Sequence, residues 1–530
     1  MPKDYIPFNK TGYFSPIVCD YLDEKLGLRP YYNRYPKLQN FEKQLQTKRS
    51  CFSNWSRTIL GQSLEKQYRN IKTSKETLKN IDYLYYDTTF TVTTGHQLNL
   101  FTGPLYFLYK IVSTINLSKA LKAKYPRYNF VPIYWMATED HDFDEINHFN
   151  FKGKKIQWNK KTSGAVGKIA TEGLEAVFNL FSKELGSNLN AETLKSLFKN
   201  AYLKHDNLAD ATRFLVNELF KPYGLVIIDG DEQVLKKHFI PFIADDILNQ
   251  TAHKCITKTN EGLSRQYGIQ ANPREINFFY LTDSVRERIV FEDGKYKVLN
   301  TNIVWEEGEI GKEILEFPER FSPNVITRPL YQEVVLPNLC YIGGGGELAY
   351  WFQLKDYFEK AEEPFPMLML RNSVLIQSEN QSEKLRKLNI SNEDIFLKRA
   401  SFINKKVREI SNIEIDFSSQ KEALKKQFDG LYQLAAQTDK SFLGAVKAQE
   451  AKQLKGLDAL EKRLLKAQKR KLSEEVSRMI ALQNELFPNE GLQERNTNFS
   501  ELYLEYGDAL IPKLIENLDP FQSEFLILKL

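Results

Sequence analysis

The sequence predicts an α/β fold with a parallel sheet at its centre, followed by a long helical region. Two apolar runs, at residues 90–92 and 130–137, have the composition of strands buried on both faces. Between them, residues 106–121 carry apolar side chains at three- and four-residue spacing, which is typical of a helix. Strand, helix and strand in this order form half of a nucleotide-binding α/β unit. Ligands of such units lie beyond the carboxyl ends of the strands, so we expect a binding site there.

Size, charge and cysteine content exclude several classes of protein. The chain has 530 residues, and its 73 basic and 68 acidic side chains leave a net charge of only +5, which does not indicate a nucleic-acid partner. No signal-peptide core and no apolar run of membrane-spanning length is present, so no membrane partner is predicted. The cysteines lack the spacing of a zinc site or a disulfide framework, which favours a cytoplasmic location.

The predicted elements divide the chain into three parts. Residues 1–377 are predicted to form the α/β core, with connecting insertions at about 149–222 and 232–330. Short apolar runs predict three further strands of this core, at residues 224–228, 334–342 and 367–370. Residues 378–488 are predicted as a coiled-coil arm, and residues 489–530 are apolar enough to pack back onto the core.

The arm is predicted from a heptad-like pattern. Leu465, Leu472, Met479 and Leu486 recur every seven residues. Residues 440–487 therefore predict one helix, roughly 70 Å long at about 1.5 Å per residue, that ends at a proline. Such a helix cannot bury its apolar stripe on one compact domain. We expect it to form an antiparallel coiled coil and to join two subunits into a homodimer.

The candidate catalytic residues directly follow the second predicted strand. Asp140, His141 and Asp142 lie at the expected ligand-binding edge of the sheet. A carboxylate there can hold a substrate ammonium group, and His141 can act as a general base near neutral pH. A helix beginning near Asp140 would bring His148 onto the same face, as a further substrate-binding residue. Two alternatives are an acidic helix cap and a metal site on the two histidines.

The polar segment after the first predicted strand is a candidate anion-binding site. It precedes a helix, whose first N–H groups favour negative charge, and a lysine one turn into that helix adds a point charge. The alternative is that glycine and proline only shape the turn before the helix. The residues assigned to substrate or nucleotide binding here are Gly95, His96, Gln97, Asn99, Gly103, Pro104, Tyr106 and Lys110.

A run of four glycines at residues 343–346 provides the third candidate segment. Backbone N–H groups of Gly344 and Gly345 can cradle a phosphate or carboxylate, and Glu347 can bind an ammonium group or simply complement the helix dipole. Arg328 is a candidate clamp for an anion, and we assign Gln332 to the same site. A tight turn and a structural ion pair are the alternatives.

Three blocks, GHQLNLFTGPLYFLYK, WMATEDHDFDEINH and RPLYQEVVLPNLCYIGGGGELAYWFQL, together resemble the bacillithiol biosynthesis cysteine-adding enzymes, the BshC family, over nearly the whole chain. Where many members have TGQQ, this chain has Thr94-Gly95-His96-Gln97. The resemblance implies a Rossmann-like core related to class I aminoacyl-tRNA synthetases, with insertions and a dimerising coiled coil. It also implies a ligase that joins cysteine to the amine of glucosaminyl malate in the last step of bacillithiol biosynthesis.

Amide formation from a free carboxylate in water is uphill, so the cysteine carboxyl needs activation. ATP with Mg²⁺ is the expected cofactor, and no protein-bound metal is assigned. The sequence lacks the HxGH and KMSKS signatures of class I synthetases and leaves open whether an adenylate, a phosphate or another donor is used. Two other functions also stay open at this stage. One is a metal-dependent hydrolase or deacetylase built on residues 140–148, and the other is a non-catalytic coiled-coil scaffold.

Overall fold

The computed structural model describes residues 3–530, in which an α/β core carries a helical arm. Fifteen strands are present in this part of the chain. In chain order they are β1 (Lys3–Ile6), β2 (Thr89–His96), β3 (Asn129–Met136), β4 (His148–Phe151), β5 (Lys154–Gln157), β6 (Val226–Asp229), β7 (Phe278–Leu281), β8 (Arg286–Glu292), β9 (Lys295–Val298), β10 (Val304–Trp305), β11 (Phe321–Pro323), β12 (Asn338–Gly343), β13 (Met367–Leu370), β14 (Val374–Gln377) and β15 (Phe525–Lys529).

The α-helices fill the connections and form the arm. They are α1 (Phe8–Thr11), α2 (Pro16–Leu22), α3 (Phe41–Cys51), α4 (Asn54–Tyr68), α5 (Lys75–Tyr83), α6 (Tyr106–Lys124), α7 (Phe143–Ile146), α8 (Leu174–Leu185), α9 (Leu189–Tyr202), α10 (Leu208–Phe220), α11 (Gln233–Asn249), α12 (Thr251–Leu263), α13 (Glu307–Glu316), α14 (Arg328–Val335), α15 (Gly345–Trp351), α16 (Lys355–Lys360), α17 (Glu379–Lys387), α18 (Asn392–Ile395), α19 (Arg399–Ile410), α20 (Ser418–Ala435), α21 (Lys440–Lys471), α22 (Ser473–Leu486), α23 (Gln493–Asn496), α24 (Phe499–Tyr506) and α25 (Leu510–Asn517). Within residues 3–530, no helix has both the length and the apolar character needed to cross a bilayer.

A parallel five-stranded sheet forms the centre of the core, in the order β13-β12-β2-β3-β6. If these strands are numbered one to five along the chain, the order is 3-2-1-4-5, which is that of a doubly wound nucleotide-binding fold. The predicted α/β core with a parallel sheet is confirmed. The strand order reverses between β2 and β12, and ligands of such folds bind in the crevice at that reversal.

The first βαβ unit, β2–α6–β3, agrees closely with the pattern of apolar residues in the sequence. Every residue of β2 is buried, as the apolar run predicts for a strand covered on both faces. Helix α6 connects β2 to β3 and is also buried on most of its surface. Its hydroxyl side chains are satisfied locally, because Ser113, Thr114 and Ser118 each donate to the carbonyl one turn earlier. The unit therefore packs into the core without unpaired hydroxyl groups on these three residues.

Two long connections interrupt the core. The first, between β3 and β6, contains the β4–β5 hairpin and helices α8 to α10. The second, between β6 and β12, contains an antiparallel sheet in the order β10-β9-β8-β7-β11. The predicted strand at residues 334–342 is wrong at its start, because residues 334 and 335 end α14 and β12 begins only at Asn338. Pro337 lies between them and cannot continue the helix.

The predicted helical coiled coil is confirmed, but residues 440–487 are not one helix. The arm consists of α20 and α21, which pack antiparallel around a small apolar cluster of Phe428, Ala435 and Val446. Helix α21 stops at Leu472, which has φ −99° and ψ 31°, and α22 follows. Met479 of α22 is buried in the main core rather than in the arm. The carboxyl-terminal part of α21 also packs on the main core, through Leu465, so the break at Leu472 falls within the segment that contacts the core.

The end of the chain returns to its beginning. Strand β15 pairs antiparallel with β1 and parallel with β14, and together they form a three-stranded sheet. Residues 525–528 of β15 are buried. The strand predicted at residues 367–370 is confirmed as β13, and two further buried strands that were not predicted, β14 and β15, follow it.

Candidate functional site

A cavity of about 900 Å³ lies at the carboxyl edge of the central sheet, and we call it the main cavity. Its walls are the segments after β2, β3 and β12 on one side and residues of β7 and β8 on the other. It brings together most of the site residues predicted from the sequence. These are Gly95, His96, Gln97, Tyr106, Lys110, Asp140, His141, Asp142, Arg328, Gly344, Gly345 and Glu347.

Five predicted residues lie elsewhere. Asn99, Pro104 and His148 line a neighbouring cavity of about 240 Å³, the side pocket. Gly103 and Gln332 line neither cavity. Gly103 has φ +62°, and a Cβ there would lie 2.7 Å from the Asn99 Cβ. The turn therefore requires glycine at this position, which agrees with the alternative that Gly103 only shapes the turn before the helix. Gln332 is fully buried and accepts from Arg328 at 3.2 Å, so it positions that arginine and is not exposed to a ligand.

Lys110 and Glu347 form an ion pair at the floor of the main cavity. The Lys110 Nζ lies 2.5 Å from Glu347 Oε2 and also donates to the Gly95 carbonyl at 2.8 Å. Burial lowers the pKa of Lys110, and the Glu347 carboxylate opposes this shift. Burial also opposes ionisation of Glu347, yet Lys110 and the Gly344 N–H keep the pKa of Glu347 below its usual value. The lysine charge is therefore already compensated and is not a free point charge.

The two arginines of this wall differ in how they are paired. Arg371 forms two hydrogen bonds to Glu494, at 3.0 and 2.7 Å, and its Nε is buried without a partner. Arg328 donates only to neutral groups, to Gln332 at 3.2 Å and to the Tyr350 hydroxyl at 3.4 Å. No carboxylate in residues 3–530 forms an ion pair with Arg328. A partly buried guanidinium without a counter-charge is suited to an anionic ligand.

The Asp140 cluster forms the opposite part of the cavity. Asp140 accepts from the His141 N–H at 2.7 Å and from Gln97 Nε2 at 3.0 Å. Burial opposes ionisation, but the polar groups of His141 and Gln97 and the positive charge of Arg286 hold the pKa of Asp140 well below its usual range. Arg286 Nη1 lies 2.5 Å from His141 Nδ1. Because an arginine can only donate, the neutral ring of His141 carries its proton on Nε2.

The expected helix at this cluster is shorter and begins later than predicted. Helix α7 starts at Phe143 and ends at Ile146, so Asp140 to Asp142 lie in a loop and His148 begins β4. The predicted shared face of His141 and His148 is wrong, and so is a metal site made from the two. Asp140, His141 and Asp142 do have ligand atoms within 4.8 Å of one another. However, Arg286 already occupies His141 Nδ1 and adds positive charge beside the cluster.

His96 is a neutral, buried ring in the wall of the main cavity. Its centroid lies 5.4 Å from that of Tyr106 and 5.0 Å from that of Phe107. Burial, with the nearby charges of Lys110 and Arg371, lowers the pKa of His96 well below its usual value. Its Nε2 has no partner in residues 3–530. The imidazole therefore offers a neutral polar atom rather than a charge.

Several cavity residues were not predicted from the sequence. Seven basic and five acidic side chains line the main cavity, so its balance favours anions. Arg286 and Arg288 lie on one face of β8, and their two-residue spacing was a usable signal. No sequence pattern indicated Arg371 or Arg495, because only the tertiary packing brings these two residues to the cavity. The unpredicted basic and acidic residues are Glu139, Glu145, Arg274, Arg286, Arg288, Arg371 and Arg495.

The sheet order and the cation-rich crevice at its reversal define a Rossmann-like α/β protein with a helical arm. Residues 1–372 match the family described as "Bacillithiol biosynthesis BshC, N-terminal Rossmann-like domain". Residues 374–530 match "Bacillithiol biosynthesis BshC, C-terminal coiled-coil domain". The chain belongs to the BshC family, and the resemblance seen in the three sequence blocks is confirmed.

Curated relatives agree with this membership over the full length. Proteins from Flavobacterium johnsoniae and Christiangramia forsetii are each 58% identical, with 100% of this chain and 100% and 99% of theirs covered. A protein from Bacillus cytotoxicus is 26% identical, with 97% and 98% covered. All three are named "Putative cysteine ligase BshC", and the predicted ligase class is confirmed. A solved structure titled a putative arginyl-tRNA synthetase from Campylobacter jejuni covers 88% of this chain and 98% of its own, but its 13% identity and TM-score of 0.21 carry no argument.

Proposed function

We propose that this enzyme joins cysteine to the amine of glucosaminyl malate, in the last step of bacillithiol biosynthesis, after the cysteine carboxyl has been activated. One observation carries the proposal. The main cavity, at the strand-order reversal, sets unpaired or partly paired arginines across from the ionised Asp140 cluster. The positive charges of the arginines suit an activated carboxyl with an anionic leaving group, and the negative charge of the Asp140 cluster suits an incoming ammonium group. Family membership and the names of the relatives support the same reaction.

ATP with Mg²⁺ is the proposed activating cofactor. The residues present fit a polyanion, because Arg328 lacks a counter-charge and Arg371 Nε is an orphaned buried donor. A Cβ on Gly95 would lie 3.3 Å from the Tyr341 hydroxyl and 3.6 Å from Arg328 Nη1, so glycine keeps this floor open. Arg328 and Arg371 would hold the phosphates, whereas the Gly344 N–H predicted for this role already donates to Glu347 at 2.8 Å. When bound, ATP supplies the leaving group that makes the cysteine carboxyl an acylating agent.

The Asp140 cluster is proposed to prepare the attacking amine. Asp140 stays ionised near neutral pH, so it can hold the ammonium form of the acceptor. The Nε2 of His141 lies 3.7 Å from Asp142 Oδ1, beyond hydrogen-bonding distance. Because Arg286 donates to Nδ1, the neutral ring of His141 keeps no lone pair for the substrate, and we assign the general-base role to Asp142, which is exposed and can pass the proton to solvent. Arg286 fixes the tautomer of His141.

The test is a mass-spectrometric assay of thiol-labelled products with cysteine and glucosaminyl malate, run with and without ATP and Mg²⁺. We expect bacillithiol only with ATP, and the nucleotide product separates adenylation from phosphorylation. Asp140→Asn removes the ammonium-binding charge and should lower kcat/KM about 100-fold or more. Glu359→Gln, in an exposed surface pair, is the matched control and should leave it unchanged. No bacillithiol in any arm would overturn the proposal.

A metal-dependent hydrolase or deacetylase is the second candidate, because Asp140, His141 and Asp142 could share one ion. It predicts a divalent metal that copurifies with the protein and is lost, together with activity, in His141→Ala. Elemental analysis of the purified wild type and this variant decides between the two. A wild-type protein without stoichiometric metal that still makes bacillithiol excludes the hydrolase.

We also propose that two copies associate through the arm and that the enzyme works in the cytoplasm. Large apolar side chains of α20 and α21 are exposed, among them Leu434 at 56% and Leu460 at 52%. A second copy would cover them, as expected for a heptad-patterned hairpin. The four cysteines are free thiols, which suits a reducing compartment.

A further inference from the structure

The side pocket adjoins the main cavity. The two cavities share the wall residues Gln97, Tyr106, Glu145 and Arg495, and we call this common boundary the passage. The remaining wall of the side pocket comes from the segment after β2, from β4 and from α23. It is thus a subsite built from three distant parts of the chain, beside the cavity assigned to the activated carboxyl.

Arg495 is the only cation on the wall of the side pocket. Its guanidinium carbon lies 5.9 Å from the centroid of the Tyr106 ring, and that of Arg371 lies 5.1 Å from the same ring. Arg371 is neutralised by Glu494, whereas no carboxylate in residues 3–530 forms an ion pair with Arg495. A guanidinium held over a ring keeps its in-plane N–H groups for a ligand, and their fork matches a carboxylate.

The rest of the side pocket is lined largely by neutral polar groups. Asn99, Asn150 and Asn496 contribute amides to this wall, and their Nδ2 groups already donate to backbone carbonyls. Asn99 Oδ1 is buried and has no partner in residues 3–530. The amide oxygens are therefore the atoms that these residues offer to a ligand, and they can accept hydrogen bonds from the hydroxyl groups of a sugar. The lining therefore combines a sugar-like surface with one carboxylate-binding cation.

The passage carries the negative charge that an amine requires. Gln97 Nε2 donates to Asp140 at 3.0 Å and to Glu145 at 2.8 Å, so one amide holds two carboxylates side by side. An ammonium group placed there would face the main cavity, while the remainder of the same molecule lay in the side pocket. This is the geometry needed to present an amine to an activated carboxyl.

We propose, on the basis of the proposed function, that the side pocket binds the carboxylate-bearing sugar acceptor. Arg495 recognises a malyl carboxylate, the amides contact the sugar, and the amine lies in the passage beside Asp140 and Glu145. Arg495 is then a specificity-determining residue, which selects acceptors that carry a carboxylate. The main cavity is left to cysteine and its activating group.

The test compares two ligands on the full-length protein by isothermal titration calorimetry, with glucosaminyl malate and with methyl glucosaminide, which lacks the carboxylates. Wild type should bind the malate compound more tightly. Arg495→Ala should weaken that binding about tenfold or more and leave methyl glucosaminide unchanged, since only the charged contact is lost. Arg495→Lys should recover part of the preference. Arg478→Ala removes an arginine that is 69% exposed on α22 and serves as the matched control.

The outcomes separate this inference from the function on which it rests. If Arg495→Ala keeps the full wild-type preference for the malate compound, the assignment of Arg495 is overturned and the ligase function stands. If wild type binds neither compound, the inference and the proposed acceptor both fail. Circular dichroism of each variant checks its fold, and Arg495 is exposed, so its loss should not affect folding.

Discussion

Glu333 lies behind the sheet edge in an environment that disfavours its charge. Its Oε1 accepts from Gln332 at 2.9 Å and from Asn338 at 2.7 Å, while Oε2 has no partner in residues 3–530. Burial raises the pKa of Glu333 to about 7, although the positive charge of Lys48 and the hydrogen bonds from these two amides lower it. The unfolded chain has a glutamate pKa of about 4.3. Between these values the unfolded state releases a proton that the folded state keeps, so rising pH lowers the free energy of unfolding.

Replacing Glu333 by glutamine should remove this pH dependence. Relative to Glu333→Gln, wild type should lose about 3 kcal/mol of unfolding free energy between pH 4.5 and 7.5. Urea unfolding of both proteins across that range measures the difference. Glu359→Gln, whose side chain is 63% exposed, should give a flat difference. A flat difference for Glu333→Gln as well would show that the carboxyl titrates normally.

Individual residues also show which parts of the site can be predicted from the sequence. Asp140 was assigned because it follows a recognisable strand, and Arg328 because its guanidinium suits an anion; the structure places both in the main cavity. His148 was placed by helical periodicity, which failed because α7 ends at Ile146. Arg495 had no local pattern at all. Its position depends on how α23 packs against the core, which is a long-range property that a window of sequence does not contain.

At the scale of elements, local pattern and tertiary packing compete in the arm. The β2–α6–β3 unit was predictable because each element is buried on nearly every side and its apolar run is continuous. The break at Leu472 was not, because the heptad pattern runs through it. Helix α21 packs on α20 along the arm and, through Leu465, on the main core, which also holds Met479 of α22. The heptad pattern shows that α21 and α22 each have an apolar face, but it does not show what packs against each face.

The exposed apolar face of α20 and α21 leads to a prediction about assembly. Leu434→Glu with Leu460→Glu should convert a dimer to a monomer at micromolar concentration, because charges would enter the proposed interface. Light scattering coupled to size exclusion measures the mass. Gln433→Glu, an exposed polar position on the same helix, should leave it unchanged. A monomeric wild type would contradict the proposed dimer.

At the scale of the whole molecule, the two family-matched regions share one core. Strand β14 pairs with β15, which pairs in turn with β1, and Arg371 is paired with Glu494 across the boundary. Arg371 and Glu494 are 3% and 0% exposed. The Glu494 carboxylate also accepts from the Val374 N–H at 3.1 Å. The core and the terminal segment should therefore unfold together.

Glu494→Gln tests this coupling, because it leaves the Arg371 charge buried without its partner. We expect a loss of about 3–5 kcal/mol, with a single transition retained in calorimetry. Glu485→Gln breaks an exposed pair with Lys384 and should cost no more than about 1 kcal/mol. Equal losses in the two variants would show that the buried pair does not join the regions.

The return of the chain to its own start has a consequence for synthesis on the ribosome. Strand β1 leaves the ribosome long before its partner β15 is made. Arg495 is likewise made only after every strand of the central sheet has been completed. A chain that ends before Arg495 thus carries the central sheet without a finished side pocket, and it also lacks the strand that would cover β1.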